Sequence, residues 1–528
     1  MIQTQNVSLN YGSKKLFENV SIKFNPGNCY GLIGANGAGK SSFLKILSGE
    51  NNDHRGEVNI ASGSRLAVLK QDHFAYEENE VLDTVIAGNQ KLLDVKQKRD
   101  EIYAKPDFND EDGIRAGDLE SQFEELGGYE AESEAAVILD GLGVESEKHS
   151  KLMKELPEAD KVKVLLAQAL FGNPDVLLLD EPTNGLDINA VMWLEDFLLN
   201  FKNTVIVISH DRHFLNKVCT HIADLDFEKI QITLGNYDFW FHSSQLALRL
   251  MKDKNKKLED KAKELKDFIA RFSANASKSK QATSRKRELE KITFEDIKPS
   301  TRKYPYVDFK YDREEGNDIL DVENLTKTLS GENLLNNLSF QIKKGDKIAV
   351  ISDDERRITA LYEVLSENQK PDSGDIKWGV TITHSYFPED NGRYFESNNL
   401  SLIDWLRQYS KDQDESFIRG FLGRMLFSGE DALKKVNVLS GGERVRMMLA
   451  KLMLSGANFL MLHGPTHHLD LEAITSVNDG LINFKGTLLF SSHDHEFLQT
   501  VANKIMRIDE TGAKIFDMTY DEYLKHGA

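Results

Sequence analysis

The sequence predicts an α/β protein made of two copies of one layered domain, joined by a long α-helical hairpin, with a helical arm inserted in the first copy. Three observations lead there. The chain repeats itself. Each copy alternates β-rich apolar runs, such as "CYGLI", "DVLLLD" and "NTVIVIS", with helical stretches, the pattern of a layered domain around a parallel sheet. Between the copies, "LALRLMKDKNKKLEDKAKELKDFIARF" keeps an amphipathic helical period with no Gly or Pro.

The repeat is explicit. "FENVSIKFNPGNCYGLIGANGAGKSSFLKILSGE" from Phe17 aligns without gaps with "LNNLSFQIKKGDKIAVISDDERRITALYEVLSEN" from Leu335, an offset of 335 − 17 = 318. Further on, His210 of "NTVIVISHDRHFL" falls on His493 of "GTLLFSSHDHEFL", an offset of 493 − 210 = 283. The difference, 318 − 283 = 35, is a net insertion in the first copy, and acidic "KPDFNDEDGIRAGDLESQFEELGGYEAESE" is its natural location. That insertion reads as two helices around a loop, either a solvated hairpin or a docking arm. The expected boundaries are residues 1–240 for the first copy (arm about 90–140), 241–315 for the linker and 316–528 for the second copy.

The chain has 528 residues, enough for two to four domains, and a formal charge of −19. Such a surface repels nucleic acid and anionic membranes on average, so any RNA contact must come from a local basic patch. Two cysteines, Cys29 and Cys219, give no disulfide framework. The opening "MIQTQNVSLNYGSKKLF" lacks a signal layout, and no apolar run approaches the roughly 20 residues that span a bilayer. The expectation is a soluble cytoplasmic protein.

In the first copy, "GANGAGKS" has the G-x-x-x-x-G-K-S spacing between a strand and a helix. Glycines there let backbone N–H groups curl around phosphates, with a helix N-terminus behind them. The loop offers Gly34, Asn36, Gly37, Gly39, Lys40, Ser41 and Ser42 as nucleotide contacts. Lys40 is expected to reach the β/γ-phosphates and the Ser41 hydroxyl to ligate Mg²⁺. "VLLLDEP" ends a buried strand at Asp180, a hard oxygen ligand for Mg²⁺, followed by Glu181, the candidate base that polarises the attacking water. His210, after another strand, is a candidate γ-phosphate contact, Tyr11 a candidate adenine stacker, and Gln71 a candidate metal sensor.

This set resembles an ATP-binding cassette, and "LSGGERVRMMLAKLML" from Leu439 resembles the cassette signature helix, with Ser440, Gly441, Gly442 and Glu443 at its start. Two cassettes in one chain, a charged helical linker, "SHDRHFL" and no membrane span resemble the ABC-F family, over nearly the whole chain. The resemblance implies ATP and Mg²⁺ as ligands. It implies intramolecular head-to-tail pairing of the cassettes in a monomer, each ATP lying between one phosphate loop and the opposite signature. It further implies a ribosomal partner, with rRNA and tRNA met by the linker and a ribosomal protein by the arm.

The second copy departs from that pattern. At its phosphate loop Ser352, Glu355, Arg357 and Ile358 stand for Gly34, Gly37, Gly39 and Lys40. His463 and Gly464 stand for Asp180 and Glu181, Leu329 for Tyr11, and either Phe387 or Glu389 for Gln71; Thr359 and His493 survive. The signatures are damaged in the opposite sense: the first copy reads Leu156-Pro157-Glu158-Ala159-Asp160, which loses an N–H and adds negative charge. All lesions fall on one composite site, so one site is expected to hydrolyse ATP and the other to be degenerate. Gly185, normally His in the family's "NHLD", also departs.

From Arg249 to Lys303 there are 18 Lys and Arg against 9 Asp and Glu. Around the linker turn, Arg271, Lys278, Lys280, Arg285, Lys286 and Arg287 are candidate phosphate contacts beside small residues that permit close approach to folded RNA. The short tip favours a ribosome-acting translation factor; ribosome protection against an antibiotic, and an ATP-gated binding protein with little turnover, are the competing readings.

Overall fold

A computed structural model describes residues 1–12, 14–70, 76–105, 108–272, 279–292, 300–329, 331–396 and 398–526. The chain divides into two compact units: Met1–Asn184, Met192–Ser209 and Phe214–Thr301 form one, and Gly185–Val191, His210–His213 and Arg302–Ala528 the other.

The first unit is built on a six-stranded sheet in the order Lys229–Leu234, His221–Asp226, Cys29–Gly34, Thr204–Ile208, Val176–Asp180 and Leu66–Val68. All neighbours are parallel except the antiparallel edge pair Lys229–Leu234 and His221–Asp226. "VLLLD" and "TVIVI" read as unbroken apolar runs because a parallel sheet is covered on both faces. Tyr30, Leu32, Leu178 and Ile206 point to one core with Phe43 and Leu44 of helix Lys40–Ser48.

The second unit repeats this sheet: His384–Phe387, Phe459–His463, Thr487–Ser491, Lys347–Ser352, Lys504–Asp509 and Gly512–Phe516. Here the period of two is visible in the packing. Ile348, Val350, Met461 and Leu489 enter one core with helix Glu355–Leu365, while Ala349, Leu460, Leu462 and Phe490 enter another with helix Gly441–Ser455. Each unit also carries a separate antiparallel sheet, built on Ile2–Tyr11 in the first and Asp318–Leu329 in the second. The sequence expectation of a parallel sheet did not include it. These strands have bulged registers, which blur the alternation from which a strand is read.

In the inserted region, helices Gln90–Tyr103 and Asp110–Glu125 pack on each other, and Ala131–Gly141 follows. The linker helices are Tyr237–Phe272 and Ser279–Glu290, also packed together. The second begins earlier than the "RKREL" where the sequence reading resumed helix. Lys280, Gln281 and Ala282 are good helix formers and no Gly or Pro stands there to delay it. No helix among the described residues is long and apolar enough to cross a membrane.

Candidate nucleotide site

The phosphate loop leaves the carboxyl end of strand Cys29–Gly34, where open α/β sheets bind ligands. Gly39 caps helix Lys40–Ser48 at φ 111°, a conformation closed to other residues, and so turns the helix N-terminus toward the loop. Lys40 is buried, and its Nζ donates to the carbonyls of Gly34 at 2.8 Å and Ala35 at 3.4 Å, curling the loop around the ammonium. Asn36 and Gly37 are exposed on the loop, and in the helix's first turn Ser41 is exposed and Ser42 half-buried. Two strands along the sheet, Asp180 is half-buried at its strand end and pairs in register with Ile208. Glu181 follows at φ 52°, its N–H donating to the Ile208 carbonyl at 2.9 Å. His210 lies two residues past Ile208. The donor set here, a hydroxyl and a carboxylate, is the hard-oxygen chemistry that Mg²⁺ takes. Tyr11 ends the strand Ile2–Tyr11 with its ring exposed, as an adenine platform requires. Gln71 lies outside the described residues.

The second copy is filled by its own side chains. The chain after strand Lys347–Ser352 makes no glycine turn: Asp354 caps helix Glu355–Leu365, accepting from the Arg356 N–H at 3.0 Å. Arg356 pairs with Asp354 and Glu332, and Arg357 donates to the Leu334 carbonyl. Ile358, in the lysine's place, is buried in the core. Glu355, in the place of Gly37, bridges two histidines: Oε2 is 3.3 Å from His463 Nε2 and Oε1 is 2.8 Å from His493 Nε2. Hydrogen bonds from His463 and then His493 hold the Glu355 carboxyl well below the usual carboxylate range. The same bond raises His493 above its ordinary value. A carboxylate thus sits where a phosphate would, held by the counterparts of Asp180 and His210.

The sheet register also settles the gap left open in the sequence. Val68 pairs with Leu178, and Tyr386 pairs with Met461, the counterpart of Leu178. Tyr386 therefore stands for Val68, and counting three residues on makes Glu389 the counterpart of Gln71.

The signature of the second copy forms a complete capping box. Ser440 precedes helix Gly441–Ser455, its hydroxyl accepts from the Glu443 N–H, and Glu443 Oε2 accepts from the Ser440 N–H and hydroxyl, both at 2.9 Å. Glu443 is therefore spent on its own helix. Gly442 is required by packing: a Cβ there would lie 2.7 Å from the His468 carbonyl oxygen. In the first copy Pro157 stands before helix Glu158–Leu170 with no side-chain cap, and Asp160 is held by Lys148 at 3.0 Å. Gly185 takes φ 76° and its counterpart His468 φ 61°, so both copies put the same left-handed turn there.

In the linker, Arg285 pairs with Glu288, which also binds Lys261. Arg271, Lys286 and Arg287 are exposed. Lys278 and the side chain of Lys280 lie outside the described residues.

An ABC transporter family model matches residues 17–184 and 335–467, and a second ABC transporter model matches residues 223–309. The chain belongs to the ATP-binding cassette family, as a tandem-cassette protein of ABC-F type. It is 63% identical to the ABC transporter ATP-binding protein YkpA of Bacillus subtilis, over 100% of this chain and 98% of that one. It is 30% identical to the energy-dependent translational throttle protein EttA of Haemophilus influenzae, over 95% and 91%. Among solved structures, an RNase-L inhibitor shares the fold with a TM-score of 0.62 at 17% identity, covering 98% of this chain and 92% of that one. Cassettes of this ABC-F protein's family bind ATP, normally with Mg²⁺.

Proposed function

We propose that this protein is a ribosome-acting translation factor that hydrolyses ATP at one of its two composite sites. One observation carries the asymmetry: Lys40 shapes an open phosphate loop in the first cassette, while Glu355 fills the equivalent space in the second. The working site joins Lys40, Ser41, Asp180, Glu181 and His210 to the signature Ser440-Gly441-Gly442 of the other cassette. Ser41 and Asp180 would hold Mg²⁺, which would supply positive charge against the phosphates. Lys40 leaves the loop carbonyls for the phosphates, the loop N–H groups and the Ser440 helix start bind the γ-phosphate, and Glu181 orients the water and takes its proton. Closure driven by the γ-phosphate selects the form that binds the ribosome, and hydrolysis releases it.

The ribosomal assignment rests on the identity with the translational throttle protein and on the linker's cations. The arm supports a docking role: Tyr103, Phe108, Ile114 and Tyr129 are large apolar side chains left exposed. The test is sedimentation of Glu181→Gln with ribosomes in ATP across a salt series. Replacing Arg271, Lys286 and Arg287 by Gln in that background should weaken binding and flatten the slope of log affinity against log salt by about 2–3, since each phosphate contact contributes roughly 0.7–0.9. An unchanged slope would leave the linker a solvated hinge.

The signatures should respond unequally. Ser440→Ala removes a γ-phosphate donor and a helix cap. It should lower ATPase activity at least about tenfold, with about 1 kcal/mol lost from stability. Pro157→Ser, in the degenerate site, should leave turnover within about twofold. Equal losses in steady-state ATPase assays would contradict the segregation of the sites.

A further inference from the structure

The geometry points to a zinc-type divalent cation site in the second cassette, ligated by His463, Glu355 and Glu389, in the space where a working cassette holds its Mg²⁺ and phosphates. The inference goes beyond the ATPase cycle and concerns the copy that does not serve it.

Three elements deliver the ligands. His463 ends the strand Phe459–His463 and is 2% exposed. Glu355 opens the helix Glu355–Leu365. Glu389 follows the strand His384–Phe387. These are the counterparts of the Asp180 strand end, the phosphate loop and the Gln71 segment of the first copy. One ligand atom from each lies within 4.8 Å of the others. The lesions that removed the nucleotide chemistry thus left an imidazole and two carboxylates converging on one point.

The distances that serve a hydrogen-bond cluster also fit a metal centre. Glu355 Oε2 and Glu389 Oε2 stand 3.3 and 3.4 Å from the same His463 Nε2. One ring nitrogen carries one hydrogen at most, so it serves two acceptors poorly, and both separations are long for a charge-assisted bond. A tetrahedron with bonds of about 2.0–2.1 Å has edges of about 3.3–3.4 Å, the separation of each Glu oxygen from His463 Nε2. The Glu355 and Glu389 oxygens, within 4.8 Å of one another, repel unless a positive charge lies near them. The Glu355 oxygen that does not face His463 Nε2 is 2.8 Å from His493 Nε2, which orients the carboxylate as supporting residues orient metal ligands. His463 Nδ1 is buried with no hydrogen-bond partner among the described residues, and its register partner is the buried Ser491.

The ligand chemistry selects the ion. Imidazole with two carboxylates suits Zn²⁺, and by the same ligands Co²⁺; Mg²⁺ prefers an all-oxygen octahedron and is disfavoured by the nitrogen. Bound there, the cation ties strand, helix and loop of the second cassette together without a nucleotide.

The test uses the full chain, free of any histidine tag and stripped with chelator. Titration with Zn²⁺ by calorimetry, and metal content by mass spectrometry after gel filtration, should find about one equivalent per chain. Co²⁺ should give the intense visible d–d absorption of a four-coordinate centre. His463→Gln should abolish both signals. Glu389→Gln, at an exposed position, should weaken binding by at least about tenfold. Asp180→Asn, in the first cassette, should leave the stoichiometry unchanged. Failure of the stripped protein to bind Zn²⁺, unaltered binding in Glu389→Gln, or loss in Asp180→Asn with retention in His463→Gln would each overturn the assignment. The result is independent of ribosome binding and of ATP turnover, so neither outcome there decides it.

Discussion

Glu181→Gln should lower steady-state ATP hydrolysis by about 10²–10⁴-fold while nucleotide binding persists, because the amide keeps the side chain's size and cannot take a proton. The backbone argument sharpens this. Glu181 holds φ 52°, a left-handed conformation that costs a non-glycine residue of order 1 kcal/mol, fixed by its N–H bond to the Ile208 carbonyl. Its counterpart Gly464 takes φ 60° and donates to the Ser491 carbonyl at 3.0 Å in the same way. The turn is thus imposed by the fold in both copies. Only the first carries a side chain that strains it, which is the pattern expected if Glu181 is kept for chemistry. Glu181→Gly should therefore be as stable as the parent, or up to about 1 kcal/mol more stable, and equally inactive. A thermal melt and a phosphate-release assay on the two variants check both halves. Turnover at the parent rate in Glu181→Gln would remove Glu181 from the chemistry; a marked loss of stability in Glu181→Gly would show that its carboxylate is structural.

What the sequence made legible was local chemistry. The G-x-x-x-x-G-K-S spacing, the strand ending in Asp180 and the Ser440 cap are each written in contiguous residues, since the loop, the strand and the helix start are local structures. The loss of Lys40 and Asp180 chemistry in the second copy was equally readable by alignment. What replaced it was not. Glu355, Glu389, His463 and His493 are separated by up to 138 residues (493 − 355), and only the parallel register brings them together. A substitution table shows Gly37 becoming Glu355, a charge repelling phosphate, but not that this charge is itself held by two histidines. The Gln71 counterpart stayed ambiguous because a single gap can be placed either side of Phe387; cross-strand pairing, which has no sequence signal of its own, places it. Gly442 reads in sequence as a phosphate-facing glycine, yet the His468 carbonyl beneath it would demand glycine even without a ligand. Arg285 reads as a free cation until Glu288, three residues on, claims it.

Gly34→Ser should weaken nucleotide binding in the first cassette by about 10–100-fold and lower stability by about 1–3 kcal/mol. Gly34 is the last residue of its strand and pairs with Leu225 on the neighbouring strand. A Cβ built on it would lie 2.6 Å from the Leu225 carbonyl oxygen, a backbone atom that cannot swing aside. The second copy shows how the fold accommodates a side chain there. Ser352 pairs with Ile508, the counterpart of Leu225, and its hydroxyl donates to the Ile508 carbonyl at 2.8 Å. It also accepts from the Asp354 N–H at 3.3 Å, which draws the chain into the Asp354 cap instead of the glycine turns that expose N–H groups to phosphate. Serine in the first copy should pull the loop the same way, so the loss of binding follows from the loop's path and not from any lost contact. Titration with a fluorescent ATP analogue and urea unfolding measure the two effects. Gly117→Ala is the control: it lies within helix Asp110–Glu125 with open space at its Cβ, and should gain up to about 1 kcal/mol with nucleotide affinity unchanged. If Gly34→Ser binds the analogue as the parent does, the close approach to Leu225 is not what shapes the phosphate loop.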